Sequence, residues 1–223
     1  MVQPRVDVIF PCLNEEGSLP WIMSRLPEGY RAIVVDNGST DRSAEVAREH
    51  GAVVVSEARR GFGSAAHTGL LAASAPIVAF CDADSSMNPA DLPLVVDPVE
   101  RGDVDLMLGR RRPTSARSWP LHARAANLAL SFLIRRRAHV DIHDLGPMRA
   151  GHRERLLALD LQDRRSGYPL EMVLRAKAEG WRIAETDTPY TERVGRSKVT
   201  GTLKGTVVAI QDMSRLLREV RRP

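Results

Sequence analysis

Two aspartates, Asp82 and Asp84, stand one residue apart at the end of an apolar run, "IVAFCDADSSM" over residues 77–87. Residues i and i+2 of a strand point the same way, so a strand running to Asp82 predicts two carboxylates side by side. Carboxylates that close repel, and one resists ionising unless a cation lies between them. Mg2+ or Mn2+ meets that need, taking one or two protein carboxylates and filling its other positions with phosphate oxygens and water. Asp82 and Asp84 therefore predict a site for a divalent metal and a diphosphate. The motif is short. Phosphatases and nucleotidyltransferases carry similar pairs, and Asp84 could instead cap a helix opening near "NPADL".

Three further segments bear on that choice. "PCLNEE" (11–16) follows a first apolar run and brings Pro11, Asn14, Glu15 and Glu16 to the same edge. "DNGSTD" (36–41) follows a second, where Asp36 could receive a base or ribose, or could simply make the turn with Asn37 and Gly38. "RRGFGSAAHTG" (59–69) follows a third. Its Gly61 and Gly63 partly match G-x-G-x-x-G, a weak signal alone. A dinucleotide enzyme carries that loop after its first strand, so the placement counts against such a cofactor. The loop amides and its arginines remain suited to phosphate or sugar hydroxyls.

The elements that would position these residues alternate in period. Runs at 6–10, 32–36, 52–58, 76–82 and 104–109 are short, apolar and rich in β-branched residues, as parallel strands covered on both faces are. Helical segments lie between them. In "STDRSAEVAREHG" Ser39, Thr40 or Asp41 can cap the start and Gly51 the end. The expected fold is α/β: a doubly wound, mostly parallel sheet flanked by helices. After Arg110 the pattern loosens. A long helix is expected over 121–137, a turn-rich stretch over 142–150, a helix over 169–180, an edge-like strand over 181–192, a polar loop, and a last helix over 207–220. The whole chain, 1–223, reads as one domain. Its first half, 1–110, would bind a nucleotide-type ligand, and an irregular half, 111–223, would shape an acceptor site.

Composition narrows the class. With 43% hydrophobic and 27% charged residues the chain is globular. No signal peptide or membrane span is evident, and Cys12 and Cys81 sit in strand-like runs, which suits a reducing cytoplasm. The net charge of +4 and the arginine clusters at 110–112, 135–137 and the C-terminus suit phosphate-bearing partners or an anionic membrane face. Aromatics are 4% of the chain, too few for a single-strand stacking platform, so nucleic acid is not an expected partner.

Taken in order, "PCLNEE", "DNGSTD", "GFGSAA" and "DAD" resemble glycosyltransferase family 2, the inverting enzymes of the GT-A fold. "DLGPMR" (144–149) and "RVGRSK" (193–198) resemble the branch of dolichyl-phosphate mannosyltransferase and polyprenyl-phosphate glycosyltransferases. The resemblance implies a nucleotide diphosphate sugar as donor and a polyprenyl phosphate at a membrane surface as acceptor. It gives Glu15 or Glu16 and Asp36 to the nucleoside, Asp82 and Asp84 to Mg2+ or Mn2+, and Arg110, Arg193, Ser197 and Lys198 to phosphate charge. A homodimer is left open. The branch usually reads D-A-D-L-Q, whereas Ser85 and Ser86 follow the pair here.

Charge separates the acceptor classes. A hydroxyl acceptor needs a general base within hydrogen-bond reach; a phosphate acceptor is already anionic. Asp144, before Gly146, is either a turn former or a base or sugar ligand. Glu171 lies in the first turn of a helix, where a carboxylate is favoured, or near sugar and acceptor. The other readings are transfer to a small hydroxyl compound, a sugar-1-phosphate nucleotidyltransferase, and a non-catalytic basic module. The acidic "PCLNEE" argues against the nucleotidyltransferase, which wants a Gly-rich basic loop there.

Overall fold

The computed structural model describes residues 4–115, 118–119, 121–193, 213 and 216. The five apolar runs become β1 (Val6–Cys12), β2 (Tyr30–Asp36), β3 (Val53–Ser56), β4 (Ile77–Phe80) and β5 (Leu106–Pro113). Two more strands follow, β6 (Arg149–His152) and β7 (Ile183–Tyr190). Together they form one sheet in the order β3-β2-β1-β4-β6-β5-β7. Neighbours are parallel except around β6, which runs antiparallel to both β4 and β5. The expected edge strand is β7. The turn-rich reading of 142–150 missed β6, whose four residues include Gly151 and carry no alternation.

Side chains leave the strands alternately, and the two faces are covered by different helices. Ile9, Ile33, Val35, Val78 and Phe80 pack under α3 (Phe62–Ala72) and α7 (Tyr168–Ala178). Val8, Phe10, Val34 and Ala79 pack under α1 (Leu19–Met23), α2 (Ser43–Glu49) and α4 (Pro93–Glu100). Two further helices are the long α5 (Leu121–Ala138) and the short α6 (Arg153–Ala158). The N-cap of α2 is Arg42 and not one of the expected residues; Asp41, just before it, accepts the Ser43 N–H at 3.0 Å. Of the expected last helix only Met213 and Leu216 are described; both are helical, and Leu216 packs into the α3–α7 layer.

One buried charge pins the sheet at the edge where β1 and β4 begin. Asp7 is fully buried, opposite Arg31 in the β1–β2 register. It accepts two bonds from that guanidinium, at 2.7 and 2.9 Å, and the N–H groups of Ser74 and Ala75 at 2.7 and 2.8 Å. Burial pushes its pKa up, but Arg31 and those amides outweigh burial and hold it below the usual carboxylate range. We expect Asp7→Asn to cost about 3 kcal/mol, which lowers the thermal midpoint by roughly 10 °C in a chain of this size. A depressed carboxylate stabilises above its unfolded pKa, so the gap from wild type narrows once the pH falls below about 4. Melting curves of both proteins at pH 7 and pH 3.5 test this.

Candidate active site

The sheet order reverses at β1, which has β2 on one side and β4 on the other. Open α/β sheets bind ligands outside the carboxyl ends of the strands at such a switch point. A crevice of about 720 Å³ opens there. Its walls come from the loop after β1, the β3–α3 loop, the segment after β4, the far end of β5, the start of β6 and the residues before α7.

Asp82 and Asp84 both line it. Strand alternation is not what aligns them, since β4 ends at Phe80. The chain continues past β4 with Cys81 still bonded to Ile9, buries Ala83, and turns at Ser85 with φ 60°. Asp82 is half-buried, and its pKa is pushed up to about 7, by burial first and the Asp84 charge second; Arg193, Arg111 and Arg149 pull the other way. Repulsion within such a pair favours a cation beside it. Among the described residues no third His, Cys, Asp or Glu joins it into a protein-only metal cluster. Two hard oxygen ligands facing an open, arginine-lined space fit Mg2+ or Mn2+ completed by phosphate oxygens and water.

Of the other expected residues, Pro11, Glu15, Gly61 and Arg193 also line the crevice. Asn14, Glu16 and Asp36 instead build its rim. Asn14, at φ 56°, accepts the Thr40 N–H at 2.7 Å and donates its own to Ser39 at 2.9 Å. Glu16 accepts the Arg42 N–H at 2.8 Å, and Asp36 that of Ser39 at 2.9 Å. The neighbour of Asp36 reaches the wall. Asn37 donates to the carbonyls of Glu57 and Arg59 and accepts the Gly61 N–H, bracing the β3–α3 loop. Gly63 has a packing role, because a Cβ there would lie 2.7 Å from the backbone of Asp163 and Arg164. Ser197 and Lys198 lie outside the described residues.

Three expected catalytic residues have other settings. Arg110 shares Asp187 with Arg112, each at 2.7 Å, on the outer face of β5 and β7. Period-two alternation hands the inward position to Arg111, which lines the crevice. Asp144 is 1% exposed. Both its oxygens are taken by Arg111, at 2.6 and 2.8 Å from the guanidinium and 2.8 Å from the backbone N–H. Glu185 fixes the approach to Asp144 by accepting the N–H groups of His143 and Asp144. Trp119, 4.2 Å from the Arg111 guanidinium carbon, and Tyr190, 5.5 Å away, flank the arginine with their rings. Glu171 accepts the N–H groups of Gln162 and Asp163 and the side chain of Arg175, so it holds the segment before α7 and does not line the crevice.

Sequence reading foresaw Arg193 and the loop arginine Arg60 near phosphate, but not Arg111, Arg149 and Arg165 beside them. Arg60, Arg111, Arg149, Arg165 and Arg193 all line the crevice. Arg149 is 2% exposed, donates to the Gly146 carbonyl, and leaves Nη1 without a hydrogen-bond partner. The available signal was its place in "DLGPMR", read as a turn because β6 was not foreseen.

Comparison with known proteins gives the family. A glycosyltransferase of Mycobacterium tuberculosis, described only as uncharacterized, is 50% identical across 97% of this chain and its own full length. The dolichyl-phosphate hexose transferase of Haloferax volcanii is 32% identical over 86% of this chain and 85% of its own. Glucosyl-3-phosphoglycerate synthase from M. tuberculosis, solved with Mn2+, UDP-glucose and phosphoglyceric acid, superposes with a TM-score of 0.72 at 25% identity. That match covers 96% of this chain and 79% of the solved one. The model for "Glycosyl transferase family 2" matches residues 7–158. With that match, the relatives and a GT-A sheet whose switch point carries the acidic pair, the chain belongs to glycosyltransferase family 2.

Proposed function

We propose that the enzyme transfers a hexose, with inversion, from a nucleotide diphosphate sugar to the phosphate of a polyprenyl phosphate. The carrying observation is the charge of the crevice. Its lining carboxylates are Glu15 and the Asp82–Asp84 pair, the residues foreseen as bases are bonded elsewhere, and five arginines face in. Among the described residues no carboxylate is left over for a hydroxyl proton, and with an excess of guanidinium the site suits an acceptor that arrives already anionic. The Haloferax relative, named for a dolichyl-phosphate acceptor, supports the same class.

Asp82 and Asp84 would hold Mg2+ or Mn2+; the solved synthase contains Mn2+. When bound, that cation supplies charge to the departing diphosphate. Pro11, Glu15, Asn37 and Gly61 form the wall for the nucleoside, with Asp36 behind them. Arg193, beside Asp84, offsets phosphate charge on the donor side. Arg111 and Arg149 orient the acceptor phosphate, one clamped by Asp144 and two rings, the other held by burial. The acceptor oxygen attacks the anomeric carbon from the face opposite the diphosphate. The bond to the leaving oxygen breaks and the configuration inverts. Outside the crevice α5 turns Leu128 and Phe132 to solvent at 65% and 54% exposure and carries no acidic residue. A basic helix with exposed apolar side chains suits a reaction at a lipid surface. Among the described residues no helix is long and apolar enough to cross a membrane.

The likeness to glucosyl-3-phosphoglycerate synthase favours a second reading, a small phosphorylated acceptor whose hydroxyl attacks the anomeric carbon. Radiolabelled UDP-glucose and GDP-mannose, each offered with a short polyprenyl phosphate or with 3-phosphoglycerate, separate the two. The expected product is an organic-extractable, acid-labile glycosyl phosphate. Label found only on phosphoglycerate would replace the first reading by the second.

A further inference from the structure

Arg193 has a partner inside the crevice. One of its terminal nitrogens lies 3.0 Å from Asp84 Oδ2. The other oxygen of that carboxylate accepts the Ser86 N–H at 3.0 Å. The amide is built into the turn at Ser85, whereas the arginine comes from the end of β7 and belongs to no strand or helix. A cation approaching Asp84 must therefore displace a guanidinium. The pair is poorly solvated, the side chains being 30% and 9% exposed, so water screens little of the attraction.

We infer that Arg193 is a tethered counter-ion of the acidic pair, occupying Asp84 Oδ2 until a metal–nucleotide complex moves it onto the diphosphate. This rests on the reading of Asp82 and Asp84 as metal ligands. A site that is open only part of the time has its apparent affinity reduced by that fraction. Free Mn2+ must break the Arg193–Asp84 pair with nothing in return for the arginine. Mn2+ arriving with a nucleoside diphosphate offers the released guanidinium a phosphate, the partner its planar fork matches best. Metal and nucleotide then bind with positive coupling, and linkage makes that coupling reciprocal. The device keeps the acidic pair from being filled by metal without donor.

The test reads Mn2+ affinity from the electron paramagnetic resonance signal of the free ion, with and without UDP, and needs no turnover. Wild type, Arg193→Gln, Arg193→Lys and Asp84→Asn are compared, with melting curves to show that each is folded. Without UDP, Arg193→Gln should bind Mn2+ about tenfold more tightly than wild type, with Arg193→Lys between them. UDP should raise the wild-type affinity at least about tenfold and that of the Gln variant much less. If the Gln variant binds free Mn2+ no better than wild type while Asp84→Asn loses the ion, the counter-ion role is wrong and the metal assignment stands. If Asp84→Asn keeps wild-type affinity, the metal assignment falls, and this inference with it.

Discussion

Asp84→Asn is expected to abolish glycosyl transfer, by at least about a thousandfold in kcat, while leaving the fold in place. The rate loss follows from where charge develops. As the anomeric bond breaks, negative charge grows on the diphosphate, and a neutral amide at position 84 removes half of the acidic pair that would hold the compensating cation. A thousandfold is about 4 kcal/mol of transition-state stabilisation, the scale at which single preorganised electrostatic contacts act. Stability should move little because two effects oppose. The variant loses the Arg193 ion pair, but it also relieves the repulsion that helps raise Asp82 to about 7. The Asn side-chain oxygen can still accept the Ser86 N–H. A midpoint within roughly 3 °C of wild type is expected, without the upward shift that UDP with Mn2+ should give the parent. Unchanged turnover would remove the metal role from Asp84.

The parts of this site that sequence made legible are those set by local rules. Short β-branched runs fixed where β1 to β5 lie, and the ends of parallel strands told where a ligand must go. That is why the "PCLNEE", "DNGSTD" and "DAD" segments could be gathered at one crevice before any coordinates. Legibility stopped where the answer depended on register or on distant partners. Arg110 and Arg111 are adjacent in sequence, and only the true extent of β5, which runs on to Pro113, decides which one faces inward. Asp144 looked like a base because its clamp, Arg111, lies 33 residues earlier. Glu171 looked like a sugar ligand because nothing local announces that the amides of Gln162 and Asp163 will fold onto it. In both cases a buried carboxylate is used to position other groups, and its oxygens are already engaged by them.

Arg149 is where stability and function are expected to part. Its guanidinium is almost wholly buried, one terminal nitrogen has no partner, and burial draws its pKa down to about 10, so it remains charged at neutral pH. Asp82 and Asp144 attract it, yet neither is hydrogen-bonded to it. Keeping an unpaired cation there costs stability unless a ligand completes its bonding. Methionine fills a similar volume without the charge. Arg149→Met should therefore raise the melting midpoint by roughly 3 to 6 °C, equivalent to about 1 to 2 kcal/mol, even with the bond to the Gly146 carbonyl lost. The same change should lower kcat/KM for the acceptor at least about a hundredfold, because the phosphate loses a charged donor that no solvent can replace in that position. The loss should fall on the acceptor KM and on kcat, with the donor KM near wild type. A variant that is both more stable and fully active would make Arg149 a leftover buried charge, and one that is unstable but active would make it a strut of β6. A more stable, inactive protein is the outcome expected if the unpartnered nitrogen is completed by the acceptor phosphate.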